Sequence, residues 1–462
     1  MNENKKIIHL LILISALFLV LLSYLLYFNM FMSEKVASNP YNMRQWEEEK
    51  LVQRGSIYDR NGLLLAESVK NSDGSSTRNY PEGKLYSHVI GYYSKVYGKT
   101  LLEQSYDGLL NGKGDISLNI SGIRKGYNLN LTIDNRLQKK AYEAMKGRAG
   151  CVIAMNPSNG EILAMVSLPD FDPNSESLEN NWGNIVETKS APLLNRATSG
   201  LYPPGSTFKI VTSAAAFSNR LTDKTFEDTG SFVLGTLKVN NYNNEVFGKI
   251  SFEEAFMHSS NQIFCSLGAE LGGEKLSGEA EKFLIGKEID FDTETAKSQT
   301  GYKSFTDKDS ALFAIGQGKL LVTPLNMLLV CSAVANKGKI VSPHTVASVT
   351  KESGMLIQSG SKKVVSEAIT AECAEYIKNL MVKTVEEGTG KGAKINGVHV
   401  AGKTGTAENE KEESHSWFVG FAPADNPQIS VAVILENDGG SGGKTAAPVA
   451  KTVMESALEI LY

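Results

Sequence analysis

The chain predicts an α+β fold: an antiparallel sheet with helices on its faces, carried behind one membrane helix and a small mixed domain. Three observations predict it. An almost unbroken apolar run covers residues 7–32, and about 20 apolar residues suffice to cross a bilayer as a helix. Apolar, strand-like runs at 151–155 and 162–166 precede a long helical section, and three more follow it at 398–407, 416–421 and 429–435. A final helical pattern runs from about Ala446 to Leu461. Strands, a large helical insert, strands and a closing helix describe one sheet assembled from both ends of a domain, with helices packed on it.

Taken in order, Lys5 and Lys6 precede the apolar run. The positive-inside rule puts residues 1–6 in the cytoplasm and everything after Ser33 outside. Tyr24 and Tyr27 stand near the outer end, where aromatic belts form. A cleaved signal peptide has an apolar core of 7–15 residues and a small-residue cleavage site; this run is longer and no such site is evident, so an uncleaved anchor over 7–32 is expected. Residues 33–52 are polar and include Glu47-Glu48-Glu49, read as a solvated juxtamembrane helix. Arg54-Gly55-Ser56-Ile57-Tyr58-Asp59-Arg60-Asn61-Gly62 places a tight-turn dipeptide between two short strand-like runs. From 70 to 145 the chain is rich in Gly and Tyr and holds no cluster of acids or bases suited to catalysis. Asn130 to Asp134 reads as a strand into an Asp-capped helix over Asn135–Met145. The division expected is thus a tail (1–6), an anchor (7–32), a stalk and non-catalytic domain (33–145), and a catalytic domain (146–462).

Composition narrows the function. Among 462 residues the formal net charge is −4, so no basic bias favours nucleic acid as a partner. Cys151, Cys265, Cys331 and Cys373 lack metal-ligand spacing and read as small core residues, although an extracytoplasmic domain leaves one bridge open. The six histidines are scattered, so no metal site and no cofactor are expected. Asp170-Phe171-Asp172-Pro173-Asn174 is acidic but lacks calcium-loop spacing and reads as a solvated connection.

The chemistry sits in three elements. Ser206-Thr207-Phe208-Lys209 follows Tyr202-Pro203-Pro204-Gly205 and opens an apolar, helical run. Positions three apart share a helix face, so an amine lies beside a hydroxyl. An amine kept partly neutral by burial and a second cation can take a serine proton. Ser259-Ser260-Asn261 then offers a hydroxyl and a carboxamide, and Lys403-Thr404-Gly405-Thr406 an ammonium, a glycine and two hydroxyls on one short strand. Alone each is weak: Ser348-Val349-Thr350-Lys351 and Ser359-Gly360-Ser361-Lys362 also match the first, and Ser117-Leu118-Asn119 the second. Only one Lys-Thr-Gly exists, and only one choice of elements gives the order.

This ordered set resembles that of penicillin-binding proteins and serine β-lactamases. Arg54 to Gly62 resembles the segment opening the extracytoplasmic part of class B penicillin-binding proteins. His88-Val89-Ile90-Gly91 and Leu102 to Tyr106 resemble their pedestal, and its shortness is most like the penicillin-binding protein A subgroup. The resemblance covers nearly the whole chain and implies a transpeptidase/serine β-lactamase-like domain. It implies a peptidoglycan D,D-transpeptidase that crosslinks stems ending in D-Ala-D-Ala, is acylated by β-lactams, and works with a membrane glycosyltransferase. Ser206 would be the nucleophile and Lys209 its base, with the backbone N–H groups of Ser206 and Thr406 holding the oxyanion. Ser259 would relay a proton, Asn261 hold the substrate amide, and Lys403, Thr404 and Thr406 draw its carboxylate, with Gly405 permitting close approach. His258 and Trp417 read better as packing residues.

No Glu-x-x-Leu-Asn-like segment lies between Asn261 and Lys403, which disfavours a deacylating β-lactamase. A D,D-carboxypeptidase, a β-lactam sensor and a non-catalytic scaffold of a wall-synthesis complex stay open. The short tail disfavours the sensor and the intact motifs disfavour the scaffold.

Overall fold

The structure is a computed structural model and describes residues 3–33, 36, 52–72, 75–112, 124–360, 362–407 and 413–462. The Glu47–Glu49 run and the Ser117–Asn119 pattern lie outside the described residues.

Helix α1 (Glu3–Tyr27) continues into a π-helical turn, Phe28–Met32. The span Asn4–Met32 has a mean hydropathy of 2.7, and none of its most apolar window is buried against the rest of the protein. Among the described residues nothing covers this helix, and its length and apolar composition suit a bilayer span.

Two sheets organise the chain beyond this helix. Strands β1 (Ile57–Tyr58), β2 (Leu64–Lys70), β3 (Ser76–Asn79) and β4 (Asn128–Leu131) belong to the first, and helix α2 (Asn135–Met145) follows β4. The hairpin between β1 and β2 turns at Gly62, whose φ is +83°. Its motif residues have structural work. Arg54 donates from Nε to Glu103 (2.6 Å) and from Nη1 to Asp107 (2.6 Å), and Arg78 donates to the other Glu103 oxygen at 2.7 Å. Gly55 is compulsory, because a Cβ there would lie 1.8 Å from the Tyr127 carbonyl oxygen. Asp59 accepts from the backbone N–H groups of Asn61, Leu63 and Asn135, and Asn61 donates to Asp134 at 2.9 Å. Asp134 in turn caps α2 through Arg136 N–H at 2.9 Å. The Arg54–Gly62 segment therefore grips its own domain at one end and the start of α2 at the other.

The second sheet contains β5 (Gly150–Met155) and β6 (Ile162–Leu168), separated by almost the whole helical insert from its other strands. That insert includes α3 (Lys209–Ser218), α4 (Phe252–Met257), α5 (Asn261–Leu271) and α6 (Pro324–Ala335). Next come β7 (Val346–Thr350), β8 (Leu356–Ser359) and α7 (Ala371–Glu386). Last are β9 (Ala401–Ala407), β10 (His415–Ala422), β11 (Ile429–Leu435) and α8 (Ala446–Leu461). The five-stranded order is β6-β5-β11-β10-β9, antiparallel throughout, with β9 at an edge. Both faces are covered. Ile153, Trp417 and Ile434 face the helical insert, whereas Val152, Phe418 and Val433 pack with Leu137 of α2 and Val453 of α8. Strands buried on both faces lose polar alternation, which is why they read as continuous apolar runs. Helix α6 is apolar on every side and buried.

The two domains trade segments. Strands β7 and β8, from the catalytic half of the sequence, complete the first sheet in the order β8-β7-β4-β1-β2-β3. Helix α2, from the other half, packs on the catalytic sheet. Tyr106 ties the halves together, donating to Asp292 at 2.6 Å, while Asp292 accepts from Thr345 and Val346 N–H. All four cysteines are buried and unpaired, as core residues would be.

Candidate active site

Ser206 lies in a 3₁₀ turn, Gly205–Phe208, that runs straight into α3. In a 3₁₀ turn residues i and i+3 eclipse each other, so Ser206 and Lys209 share a face. The preceding segment is clamped at several points. Tyr202 exchanges backbone bonds with Val322 (3.0 and 2.8 Å), Gly205 N–H donates to Gly316 O at 2.9 Å, and Trp417 Nε1 donates to Pro203 O at 3.1 Å. Tyr202 also bonds Glu436 through its hydroxyl. Gly205 has φ +53°, and a Cβ on Gly316 would lie 2.1 Å from Gly205 O. Trp417 is thus a buried support for the Ser206 turn.

Both motif lysines are wholly buried. Lys209 Nζ contacts Ser259 O (2.7 Å), Ser259 Oγ (3.2 Å) and Asn261 Oδ1 (2.9 Å). Lys403 Nζ reaches the same Ser259 Oγ at 2.9 Å and Thr404 O at 3.3 Å. The second element therefore stands between the two lysines. Among the described residues, no hydrogen bond joins Lys209 to Ser206 Oγ; the amine is shared with Ser259 and Asn261 instead. The reason is backbone shape. Ser259 joins α4 to α5 at φ +60°, a left-handed conformation that costs energy in a non-glycine residue and collects at functional sites. That bend turns its hydroxyl and carbonyl toward the lysines.

The neighbours of Ser259 hold this bend. Ser260 caps α5 through Ile263 N–H at 3.1 Å and donates to buried Asp228 at 2.5 Å. Asp228 also accepts from Gly230 N–H and the Asn241 amide, both at 2.9 Å. Asn261 Nδ2 donates to Asn240 O at 3.0 Å, which orients Oδ1 to Lys209. His258 is outside this network and stacks on Phe247, with ring centroids 4.8 Å apart.

Electrostatics follow from the burial. Desolvation first, and the nearby Lys403 second, hold Lys209 well below the usual lysine range. Burial also pushes Lys403 down to about 7. The Lys403 charge thus adds to burial in favouring the neutral amine of Lys209.

The third element lies on edge strand β9. A Cβ on Gly405 would meet Pro204 O and Thr207 Cγ2, each at 3.0 Å, and Thr406 O lies 2.9 Å from where a Gly205 Cβ would be. The absent side chain of Gly405 makes room for the protein's own Ser206 turn, a closer reason than the substrate approach expected from sequence. Thr404 is nearly buried at 6% exposure, and its Oγ1 lies 2.7 Å from Thr389 Oγ1. Gly442 N–H reaches Thr406 Oγ1 at 3.5 Å.

Asp228, Gly316 and Thr389 escaped the sequence reading. Asp228-Thr229-Gly230 and Gly388-Thr389-Gly390 carry turn signals only, and their partners stand 15 to 32 residues away. The decoy serine Ser348 sits on β7, in the other sheet, where its Oγ accepts from Asn130.

A hydroxyl on a rigid turn, a buried lysine held well below the usual lysine range and an edge strand beside both define a serine-type acyl-transferring enzyme. The model of the penicillin-binding protein transpeptidase domain matches residues 150–455, and that of the penicillin-binding protein A dimerisation domain matches 54–124. The chain belongs to the penicillin-binding protein transpeptidase family, in its class B, penicillin-binding protein A type. It is 33% identical to the peptidoglycan D,D-transpeptidase PbpA of Mycolicibacterium smegmatis, over 96% of this chain and 97% of that protein. It is similar in structure to penicillin-binding protein A from M. tuberculosis as a ceftriaxone acyl-enzyme complex. There the TM-score is 0.85 and the identity 32%, over 89% of this chain and 99% of the other. The penicillin G acyl-enzyme complex of that protein gives 0.82 at 32% identity, over 88% and 99%.

Proposed function

We infer that this chain is a peptidoglycan D,D-transpeptidase, crosslinking peptide stems through an acyl-enzyme on Ser206 with release of D-alanine. The observation that carries this reading is the sharing of one hydroxyl, Ser259 Oγ, by two buried lysines, at 3.2 and 2.9 Å. A neutral amine has two N–H groups and one lone pair. Ser259 O and Asn261 Oδ1 occupy the two donors of Lys209, which leaves the lone pair for a hydroxyl proton. Ser206 Oγ attacks the carbonyl of the penultimate D-Ala and passes its proton to that lone pair.

The N–H groups of Ser206 and Thr406 receive the oxyanion, since Gly205 and Gly405 let turn and strand close on one another. As the C–N bond breaks, Ser259 Oγ gives its proton to the departing D-alanine nitrogen and is resupplied from the lysines. Asn261 holds the stem amide, and Lys403, Thr404 and Thr406 draw the terminal carboxylate. A stem amine then attacks the acyl-enzyme, its proton returning along the same relay. β-Lactams acylate Ser206 as substrate mimics.

Lys5 and Lys6 support a cytoplasmic N-terminus with the catalytic domain outside the cell membrane. The family resemblance supports a membrane glycosyltransferase partner, met through the anchor and residues 33–145. Residues 146–462 form the catalytic unit in this reading, with α2 and β7–β8 crossing between the two. The test is purified full-length protein given a D-Ala-D-Ala stem with and without an added amine acceptor. Crosslinked product that depends on the amine is expected; hydrolysed stem alone in both reactions makes the protein a carboxypeptidase.

A further inference from the structure

We propose that Thr389 is a specificity-determining residue for the donor's terminal carboxylate, acting as one unit with Thr404. The proposal rests on the Ser206 acyl-transfer reading above and adds a residue to it. On β9, Lys403 and Gly405 share a face toward Ser259 and the nucleophile turn, and strand alternation puts Thr404 and Thr406 on the other side. Thr404 alone has little surface to offer, at 6% exposure. Thr389, by contrast, is exposed and rises beside it from the loop after α7, with the two Oγ1 atoms 2.7 Å apart.

Two hydroxyls in contact use one proton between them and leave the other free. With Thr404 donating to Thr389 Oγ1, the accepting hydroxyl keeps its own O–H for the ligand and is polarised into a stronger donor than either alone. An ionised acceptor such as a carboxylate gains most from such a donor. The loop has little freedom to withdraw this hydroxyl. Gly390 N–H donates to Thr384 O at 2.9 Å and Thr389 N–H to Met257 O at 3.4 Å. A Cβ on Gly388 would lie 2.5 Å from Met257 O, and one on Gly443 would lie 2.3 Å from Thr389 O. The loop is therefore pressed between the end of α4, which leads to Ser259, and the loop before α8. No lysine or arginine appears among these contacts, so recognition at this point is by neutral donors.

The experiment compares wild type, Thr389→Val and Thr389→Ser in the full-length chain in detergent. Second-order acylation rates are measured with benzylpenicillin and with its methyl ester, which keeps the lactam and lacks the charge. Valine matches threonine in shape without the hydroxyl. Thr389→Val is expected to slow acylation by the acid about tenfold, the scale of one hydrogen bond to a charged group. The ester rate should stay within about twofold, and Thr389→Ser should restore the acid rate. Equal slowing with acid and ester would make Thr389 a support of the fold only, and unchanged rates with both would remove it from recognition; either overturns the proposal. Wild-type protein that takes no label from either compound sinks the Ser206 reading itself, a separate and visible outcome.

Discussion

Replacing Lys403 by glutamine tests the electrostatic design of the site. Lys209 and Lys403 both contact Ser259 Oγ, at 3.2 and 2.9 Å. Their nitrogens are therefore no farther apart than about 6 Å, where two unit charges at an effective dielectric of 20 repel by about 3 kcal/mol. That figure is for full charges at the greatest separation the contacts allow; a shorter distance raises it, while burial pulls Lys403 down to about 7 and leaves only part of its charge at neutral pH.

The sign follows from the cause of the shift. In the wild type burial first, and the Lys403 charge second, hold Lys209 below the usual lysine range, so Lys403 supplies part of what keeps its amine neutral and basic. In Lys403→Gln that part is gone, so Lys209 charges at higher pH and loses its lone pair sooner. Glutamine also removes an attraction for the substrate carboxylate, and because Lys403 is more fully charged at pH 6 than at pH 8, that loss is itself pH-dependent. The informative quantity is therefore the acylation rate at pH 6 divided by that at pH 8, measured with benzylpenicillin methyl ester, which lacks the carboxylate. The ratio should fall, by up to the roughly two orders of magnitude that about 3 kcal/mol represents. An unchanged ratio, with both rates equally reduced, refutes the claim that Lys403 keeps Lys209 neutral.

Two further outcomes rest on packing. Gly405→Ala drives a methyl to 3.0 Å from Pro204 O and Thr207 Cγ2; acylation should drop by about two orders of magnitude while unfolding free energy changes by only about 1–3 kcal/mol. Retained acylation would mean that strand and turn need not touch. Glu103→Gln leaves Arg54 and Arg78 facing a neutral group. Burial opposes ionisation of Glu103, and the two guanidiniums overcome it, so its carboxyl titrates below the usual range. Its contribution is present above that range and lost as pH falls through its lowered folded value. Breaking such a buried network costs about 3–5 kcal/mol, which denaturant titration at neutral pH should show; a loss under about 1 kcal/mol contradicts the assignment.

Much of this molecule was legible because short-range signals matched their three-dimensional surroundings. Helices Asn135–Met145 and Ala446–Leu461 and strand Ile429–Leu435 begin and end where capping and apolar runs put them. The three motifs converge because each occupies a defined local shape: a 3₁₀ turn, a left-handed residue between two helices, and an edge strand. What stayed hidden depends on distant partners. No periodicity in Val346–Ser359 announces that it completes the sheet begun by Ile57. The strain at Ser259 is invisible beside an ordinary Ser-Ser-Asn, and it decides that Lys209 bonds Ser259 and Asn261. Asp228, at the end of a strand, and Thr389, in a turn, each touch a motif residue from a stretch whose sequence carries no hint of the contact.

The claim that everything else depends on is that Ser206 becomes acylated and stays so. Full-length protein and its Ser206→Ala variant should be incubated with benzylpenicillin and weighed intact by mass spectrometry over an hour. The account predicts a single added penicilloyl group on the wild type, located on the Ser206 peptide and persisting for many minutes, with none on the variant. An adduct that survives Ser206→Ala, or one that vanishes within seconds, contradicts it: the first moves the nucleophile elsewhere, and the second makes the enzyme a hydrolase.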